Sequence, residues 1–147
     1  MNQELSRLNK LIKKQEEIYH CFAKQAGLTD TQFWVLYALC EADTALCQNT
    51  FCENWCYSKQ TVNTAVANLE KAGLLYLVYA EGSHKQKNIT LTPAGEHFCD
   101  ENIRNLLEVE DASLMRLSPE ERETFFQIFG KMLTYLEQSL PDTAEPQ

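Results

Sequence analysis

The segment SKQTVNTAVANLEKAG, residues 58–73, restricts the fold more than any other stretch of this sequence. Val62, Ala65, Val66 and Leu69 recur at i, i+3, i+4 and i+7, which is one apolar stripe of an α-helix. Ser58 is a good N-cap, and Lys71 followed by Ala72 and Gly73 supplies a cationic last turn and a glycine stop. The opposite face holds Gln60, Asn63, Thr64, Ala67, Asn68 and Lys71, rich in amides and hydroxyls and nearly free of charge. A helix face that meets only water is usually filled with Glu and Lys. This one is furnished to hydrogen-bond something else.

What surrounds the helix narrows the choice. Residues 43–57 hold one more short helix, with a split near Cys56–Tyr57. Leu74 to Tyr79 is β-branched and aromatic enough for a strand, AEGSHKQK at 80–87 is a turn with a basic tip, and Asn88 to Leu91 alternates as a return strand. Two short helices, the second amide-faced, followed by a basic hairpin describe a winged helix-turn-helix. That arrangement suits double-stranded DNA. Asn and Gln can bond adenine bidentately in the major groove, and a wing carrying Lys and His can follow phosphates or enter the minor groove.

Long helices flank this unit. Leu5, Leu8, Ile12, Gln15, Tyr19, Phe22 and Ala26 recur at alternating steps of three and four, a heptad seam within a helix over 3–26 that Gly27 ends. Thr29 caps a second helix to about Ala42, with Phe33, Leu36, Leu39 and Cys40 inward. Thr92-Pro93 opens a helix expected to reach about Met115, about 35 Å at 1.5 Å per residue, with Phe98, Ile103, Leu106, Leu107 and Val109 on its buried side. Ser118-Pro119-Glu120-Glu121 is a capping box that starts a last helix bearing Phe125, Phe129, Met132, Leu136 and Leu140. Residues 141–147, PDTAEPQ, read as a disordered tail. The expected fold is mainly α: a winged helix-turn-helix with a small β-hairpin wing and long N- and C-terminal dimerisation helices. It forms one winged-helix domain over 1–140, with a DNA-binding lobe at 29–92 and dimerisation helices at 1–28 and 93–140. The two seams carry more apolar surface than one lobe covers, so a homodimer is expected.

The net charge of −8, taken alone, opposes a polyanionic partner. Position reverses this. Residues 1–42 carry five basic and five acidic groups, 43–92 carry four of each, and 93–147 carry four against twelve. The whole imbalance therefore lies in the last third, beyond a Debye length of about 8–10 Å from the amide-faced helix. Within 58–87, Lys59, Lys71, Lys85 and Lys87 outnumber Glu70 and Glu81.

Other classes are excluded or disfavoured. The longest apolar run, Phe33 to Cys40, is eight residues, far short of the roughly 20 needed to span a bilayer. The opening MNQELSRLNKLIKK has no apolar block before a small-residue cleavage site, so no signal peptide, no membrane association and a cytoplasmic location are expected. All five glycines stand alone, and G-x-S-x-G, H-E-x-x-H and C-x-x-C are absent, so no enzyme and no cofactor are expected.

At this point the sequence resembles a known family. LTDTQFWVLYAL at 28–39, SKQTVNTAVANLEKAGLL at 58–75 and ITLTPAGEHF at 89–98 are similar to the signature stretches of the MarR family of bacterial transcription regulators, in order and at the family's spacing. The resemblance implies a homodimer whose terminal helices interlock while two winged lobes straddle a pseudo-palindromic operator, most often as a repressor released by a small-molecule effector. It implies base contacts for Gln60, Asn63 and Thr64, phosphate contacts for Ser58 and Lys59 at the helix start, and backbone contacts for His84, Lys85 and Lys87 on the wing. The family's wing commonly reads D-x-R before the return strand. Here Ser83 stands at the Asp position and no Arg follows, so attraction rests on point charges and a weaker or more salt-sensitive complex is expected.

The six cysteines read as reduced thiols. Cys40, Cys52 and Cys99 fit small buried positions. Cys52 and Cys56 at i, i+4, with Cys47 a turn earlier, keep open a thiol-based redox-responsive regulator. The remaining alternative is a winged-helix protein-interaction module without operator binding. No metal site is expected, since His97 and Cys99 diverge on one helix. Phe22, Trp34 and Tyr37 fall near the junction where the resemblance implies effector entry, and they read as core.

Overall fold

The structure is a computed structural model and describes residues 2–141. Its elements are α1 (Gln3–Gln25), α2 (Asp30–Ala42), β1 (Leu46–Cys47), α3 (Gln48–Trp55), α4 (Lys59–Lys71), β2 (Leu75–Tyr79), β3 (Lys87–Leu91), α5 (Pro93–Asn102), α6 (Arg104–Met115) and α7 (Pro119–Ser139). This is the winged helix-turn-helix expected from the sequence, mainly α with a small antiparallel sheet. The tail expected at 141–147 lies outside the described residues except for Pro141. No helix among the described residues is long and apolar enough to cross a membrane.

The chain divides into two compact units, one ending at Arg104 and the next starting at Asn105. In the first, α2 is the central element. It buries Phe33, Val35, Leu36, Ala38, Leu39 and Cys40, so it is covered on most of its circumference rather than along one stripe. Its start is fixed by a full capping box, in which the Thr29 hydroxyl accepts the Gln32 amide and the Gln32 side chain accepts the Thr29 amide. α4 lays Val62, Ala65, Val66 and Leu69 against it, the four residues that the apolar spacing selects. At roughly 1.5–3 kcal/mol for each large side chain taken out of water, this α2–α4 layer is the main apolar store of the unit.

The wing pairs Leu75 with Leu91, Leu77 with Ile89 and Tyr79 with Lys87. A third strand joins it: β1 pairs Leu46 with Ile89 and Cys47 with Asn88, giving the order β1-β3-β2. Ile89 is fully buried at the centre of this sheet. The wing's root is tied to the end of α4. Gly73 takes the left-handed conformation, and the Leu74 amide returns to the Leu69 carbonyl to close the helix. Thr92 then donates its amide and hydroxyl to the Leu74 and Gly73 carbonyls while accepting the Gly95 amide.

One expectation is corrected. The helix from Pro93 does not run unbroken to Met115; it stops at Asn102 and restarts at Arg104. Ile103 leaves helical geometry at φ −120°, although its amide still reaches the Cys99 carbonyl. The Asn102 side chain donates to the Phe98 carbonyl and so competes locally with the ladder. On the other side of the break, Arg104 reaches back to ion pairs with Glu96 and Asp100. The restart also changes the phase of the apolar stripe: Ile103 and Leu106 are buried, whereas Val109 is 53% exposed.

The second unit holds α7, capped by Ser118 and Glu121 in the expected box. None of its 21 residues is buried. Phe125, Phe126, Ile128, Leu136 and Leu140 are each more than half exposed.

Candidate nucleic-acid interface

α4 reaches the surface with its polar face outward. Gln60, Asn63, Thr64, Ala67 and Asn68 are all exposed. Ser58 caps the helix: its hydroxyl oxygen accepts the Thr61 amide and lies 2.7 Å from the Thr61 hydroxyl. Lys59 follows as the first helical residue, exposed beside unpaired amides of the first turn, where an anion is favoured. The Thr64 hydroxyl donates to the Gln60 carbonyl at 3.1 Å.

The predicted residues do not form one continuous ring but divide between the two flanks of α4. Lys59 and Asn63 line a hollow of about 200 Å³ together with Lys85 and Lys87 from the wing. Three ammonium groups thus converge without a carboxylate in the lining, and the hollow is positive. Gln60 and Thr64 lie on the other flank, where with Thr29, Thr31 and Gln32 at the start of α2 they line a second hollow. His84 is exposed at the wing tip and belongs to neither hollow.

Residues outside the sequence reading also enter. Gln48 and Asn49, at the start of α3, line the lysine hollow, and the Gln48 side-chain amide donates to Asn63 Oδ1. That bond sets which way the Asn63 amide faces. The pairing of β1 with the wing and the packing of α3 on α4 bring the start of α3 here, and a two-residue strand leaves no periodicity to read.

The wing tip shows how the chain manages without the usual Asp. Ser83 Oγ accepts the amides of Lys85 and Gln86 at 3.2 and 3.0 Å, and the Ala80 amide meets the Gln86 carbonyl at 2.7 Å. The tip is held by a hydroxyl-centred turn in place of an ion pair. Lys87 lies over the Tyr79 ring at 5.6 Å, which stiffens the strand end that presents it.

The thiols sort by position. Cys52 is buried, with its thiol pushed up by burial. Cys56 is in the left-handed residue past the end of α3 and is exposed, so Cys52 and Cys56 do not share a face as the i, i+4 spacing suggested. Cys47 is half-buried at the N-cap of α3, and the first-turn amides, led by that of Thr50, hold its thiol below the usual range. Cys40 and Cys99 are buried against one another; the contact with Cys40, reinforced by burial, pushes the Cys99 thiol strongly up. No group of three or more metal-ligating side chains occurs among the described residues.

Comparison with known proteins agrees with this geometry. Residues 26–86 match the sequence model of the MarR family. The fold is similar to that of NMB1585, a MarR family regulator from Neisseria meningitidis, at 22% identity and a TM-score of 0.76 over 95% of this chain and 96% of that one. It is also similar to S. aureus MepR in its DNA-binding conformation, at 26% identity and a TM-score of 0.73 over 90% and 98% of the two chains. MepR in complex with DNA gives 27% identity and a TM-score of 0.66 over 89% and 96%. No curated protein sequence matches. The winged lobe, the matched segment and these solved structures agree in what the chain is similar to: over residues 26–86 it matches the MarR family, and its fold is that of winged helix-turn-helix regulators.

Proposed function

We propose that the protein is a homodimeric, sequence-specific regulator that binds double-stranded DNA at a pseudo-palindromic operator, acting as a repressor whose complex is released by a small ligand. The observation that carries this reading is the convergence of Lys59 and Asn63 of α4 with Lys85 and Lys87 of the wing around one hollow that has no carboxylate in its lining. A base-reading amide and three phosphate-seeking ammonium groups on adjoining elements are what groove binding requires. The likeness to MepR, solved in complex with DNA, supports the same reading.

In this reading 29–92 is the DNA-binding lobe. Gln60, Asn63 and Thr64 meet base edges, Ser58 and Lys59 hold a phosphate at the helix start, and His84, Lys85 and Lys87 attract the backbone. Residues 1–28 and 93–140 serve dimerisation; the unburied apolar surface of α7 supports this assignment. A two-fold dimer reads two half-sites about one helical turn apart. The test is an anisotropy titration with the intergenic DNA beside the protein's own gene. Saturable binding that outcompetes random duplex is the expected result, and equal affinity for both defeats the reading.

A further inference from the structure

Cys40 and Cys99 come from helices far apart in sequence and are placed thiol to thiol. Cys40 lies in the last turn of α2 and is 7% exposed, and Cys99 lies in the last turn of α5 and is fully buried. The Cys99 S–H donates to the Cys40 sulfur. Neither residue lines the lysine hollow. Either one alone would be an ordinary small core side chain. A facing pair is a different object, because two thiols in contact can be joined by a single two-electron oxidation.

The two sulfurs are not equivalent. The hydrogen bond from Cys99 holds the Cys40 thiol below its usual range against the cost of burial, and the Arg104 guanidinium adds to the effect. Arg104 is fixed beside the pair by Glu96 and Asp100, each of which opposes it more weakly at Cys40. Cys99 is pushed the other way. Access has the same sense. Cys40 stands next to the exposed stretch 41–45, whereas Cys99 has no surface. A bulky organic disulfide does not reach a thiol this well covered, so the oxidant that does is small.

We infer that Cys40 is a site of oxidation by hydrogen peroxide and that Cys99 resolves it, forming an intrachain disulfide between α2 and α5. The Cys40 thiolate, its proton given to water, attacks one peroxide oxygen. The O–O bond breaks, the departing hydroxide takes up a proton to become water, and Cys40 is left as a sulfenic acid. The Cys99 sulfur then attacks the Cys40 sulfur; the S–O bond breaks and the second hydroxide leaves as water with the Cys99 proton. Two thiols and one peroxide give one disulfide and two waters, with two electrons passing from sulfur to oxygen. Thiol reductants reverse the bridge by exchange. The bridge ties the end of α2 to the residue whose carbonyl accepts the Ile103 amide at 2.8 Å, and so fixes the helix break from one side. This chemistry is independent of any DNA role.

The test treats the full chain with hydrogen peroxide, blocks the remaining thiols with N-ethylmaleimide, and digests with trypsin and a glutamate-specific protease. Cuts after Lys24 and Glu41, and after Glu96 and Glu101, separate Cys40 and Cys99 from every other cysteine. The expected main product is peptide 25–41 linked to peptide 97–101, lost on adding dithiothreitol, from a chain that runs as a single species on a non-reducing gel. Cys99→Ala should leave Cys40 as a sulfenic acid that a 1,3-diketone traps, and Cys40→Ala should leave Cys99 unmodified. The map of the parent chain decides the matter if either variant fails to fold. The urea midpoint of the bridged protein should exceed that of the reduced one, since the bridge closes a long loop in a geometry the fold already has. Cys52, also 7% exposed but with its thiol pushed up by burial, is the internal control and should oxidise at least about tenfold more slowly. Any of four results would overturn the inference: no 25–41 to 97–101 link; a bridge to another cysteine or another chain in its place; a bridged form no more stable than the reduced one, which would mean that it forms only in unfolded chains; or Cys52 oxidised as fast as Cys40.

Discussion

Gly95 and Leu74 meet backbone to backbone: a Cβ built on Gly95 would lie 1.8 Å from the Leu74 carbonyl oxygen. The same carbonyl accepts the Thr92 amide, so the first turn of α5 is seated directly on the corner between α4 and the wing. The Leu-Thr-x-x-Gly pattern at 91–95 is thereby explained, with Thr92 as the cap and Gly95 as the residue that permits the approach. Gly95→Ala should destabilise the protein by roughly 1–3 kcal/mol or more, since backbone and not a flexible side chain must move. Urea denaturation followed by circular dichroism checks this, and a midpoint equal to that of the parent would refute the account.

Reading and clamping should separate by mutation. Asn63→Ala is expected to cost roughly 1–3 kcal/mol on the operator and little on random duplex, whereas Lys85→Ala should weaken both alike and lower the salt slope by about one unit per lost contact. Gln48→Ala should reproduce part of the Asn63 effect, because Gln48 orients that amide. Anisotropy titrations across a salt series measure all three. Parallel losses on operator and random DNA for Asn63→Ala would remove α4 from the reading role.

The parts of the molecule most legible in the sequence are those whose cause is local. The caps at Thr29, Ser58, Thr92 and Ser118 each formed where a hydroxyl precedes a helix pattern, and the inward stripe of α4 follows from spacing alone. The break at Ile103 was not legible, because no Gly or Pro marks it and its causes are side-chain contacts of Asn102 and Arg104. The lysine hollow was half legible. Lys59, Asn63, Lys85 and Lys87 were foreseen as individuals, but Gln48 and Asn49 arrive through a strand too short to show a period. The aromatic cluster around Trp34 escaped for a related reason. Trp34 and Tyr37 read as core when taken alone, and only tertiary packing brings Tyr19, Trp55 and Tyr57 beside them.

Dimerisation through α7 predicts a light-scattering mass about twice 16.9 kDa at micromolar concentration. The variant Phe125→Glu, Leu136→Glu places charges on two positions that are 54% and 52% exposed in the single chain. Monomer or aggregate is the expected outcome, with the helical signal of the winged lobe retained. A well-behaved monomer of the parent chain would contradict the interface.

Thiol reactivity should follow position. Cys47 ionises below the usual thiol range because first-turn amides, chiefly that of Thr50, stabilise its thiolate. Its alkylation by iodoacetamide should therefore rise at lower pH than that of a free cysteine peptide added as reference, read by peptide mass spectrometry across pH 6 to 9 (about one reaction half-life per point). Cys52, buried and shifted upward, should resist until the protein unfolds, and Cys52→Ala should cost about 1 kcal/mol or less. Faster labelling at Cys52 than at Cys47 would reverse the assignment.

The sheet order has a consequence for how such a protein diversifies. β1 pairs only with Ile89 and Asn88, so the strand support ends there and the loop beyond Tyr79 and Lys87 closes on itself through Ser83. The stretch from Glu81 to Gln86 is thus held by its own turn and not by the sheet. Its length and charge can be rewritten to suit a different stretch of duplex while Ile89, fully buried, keeps the lobe beneath it unchanged.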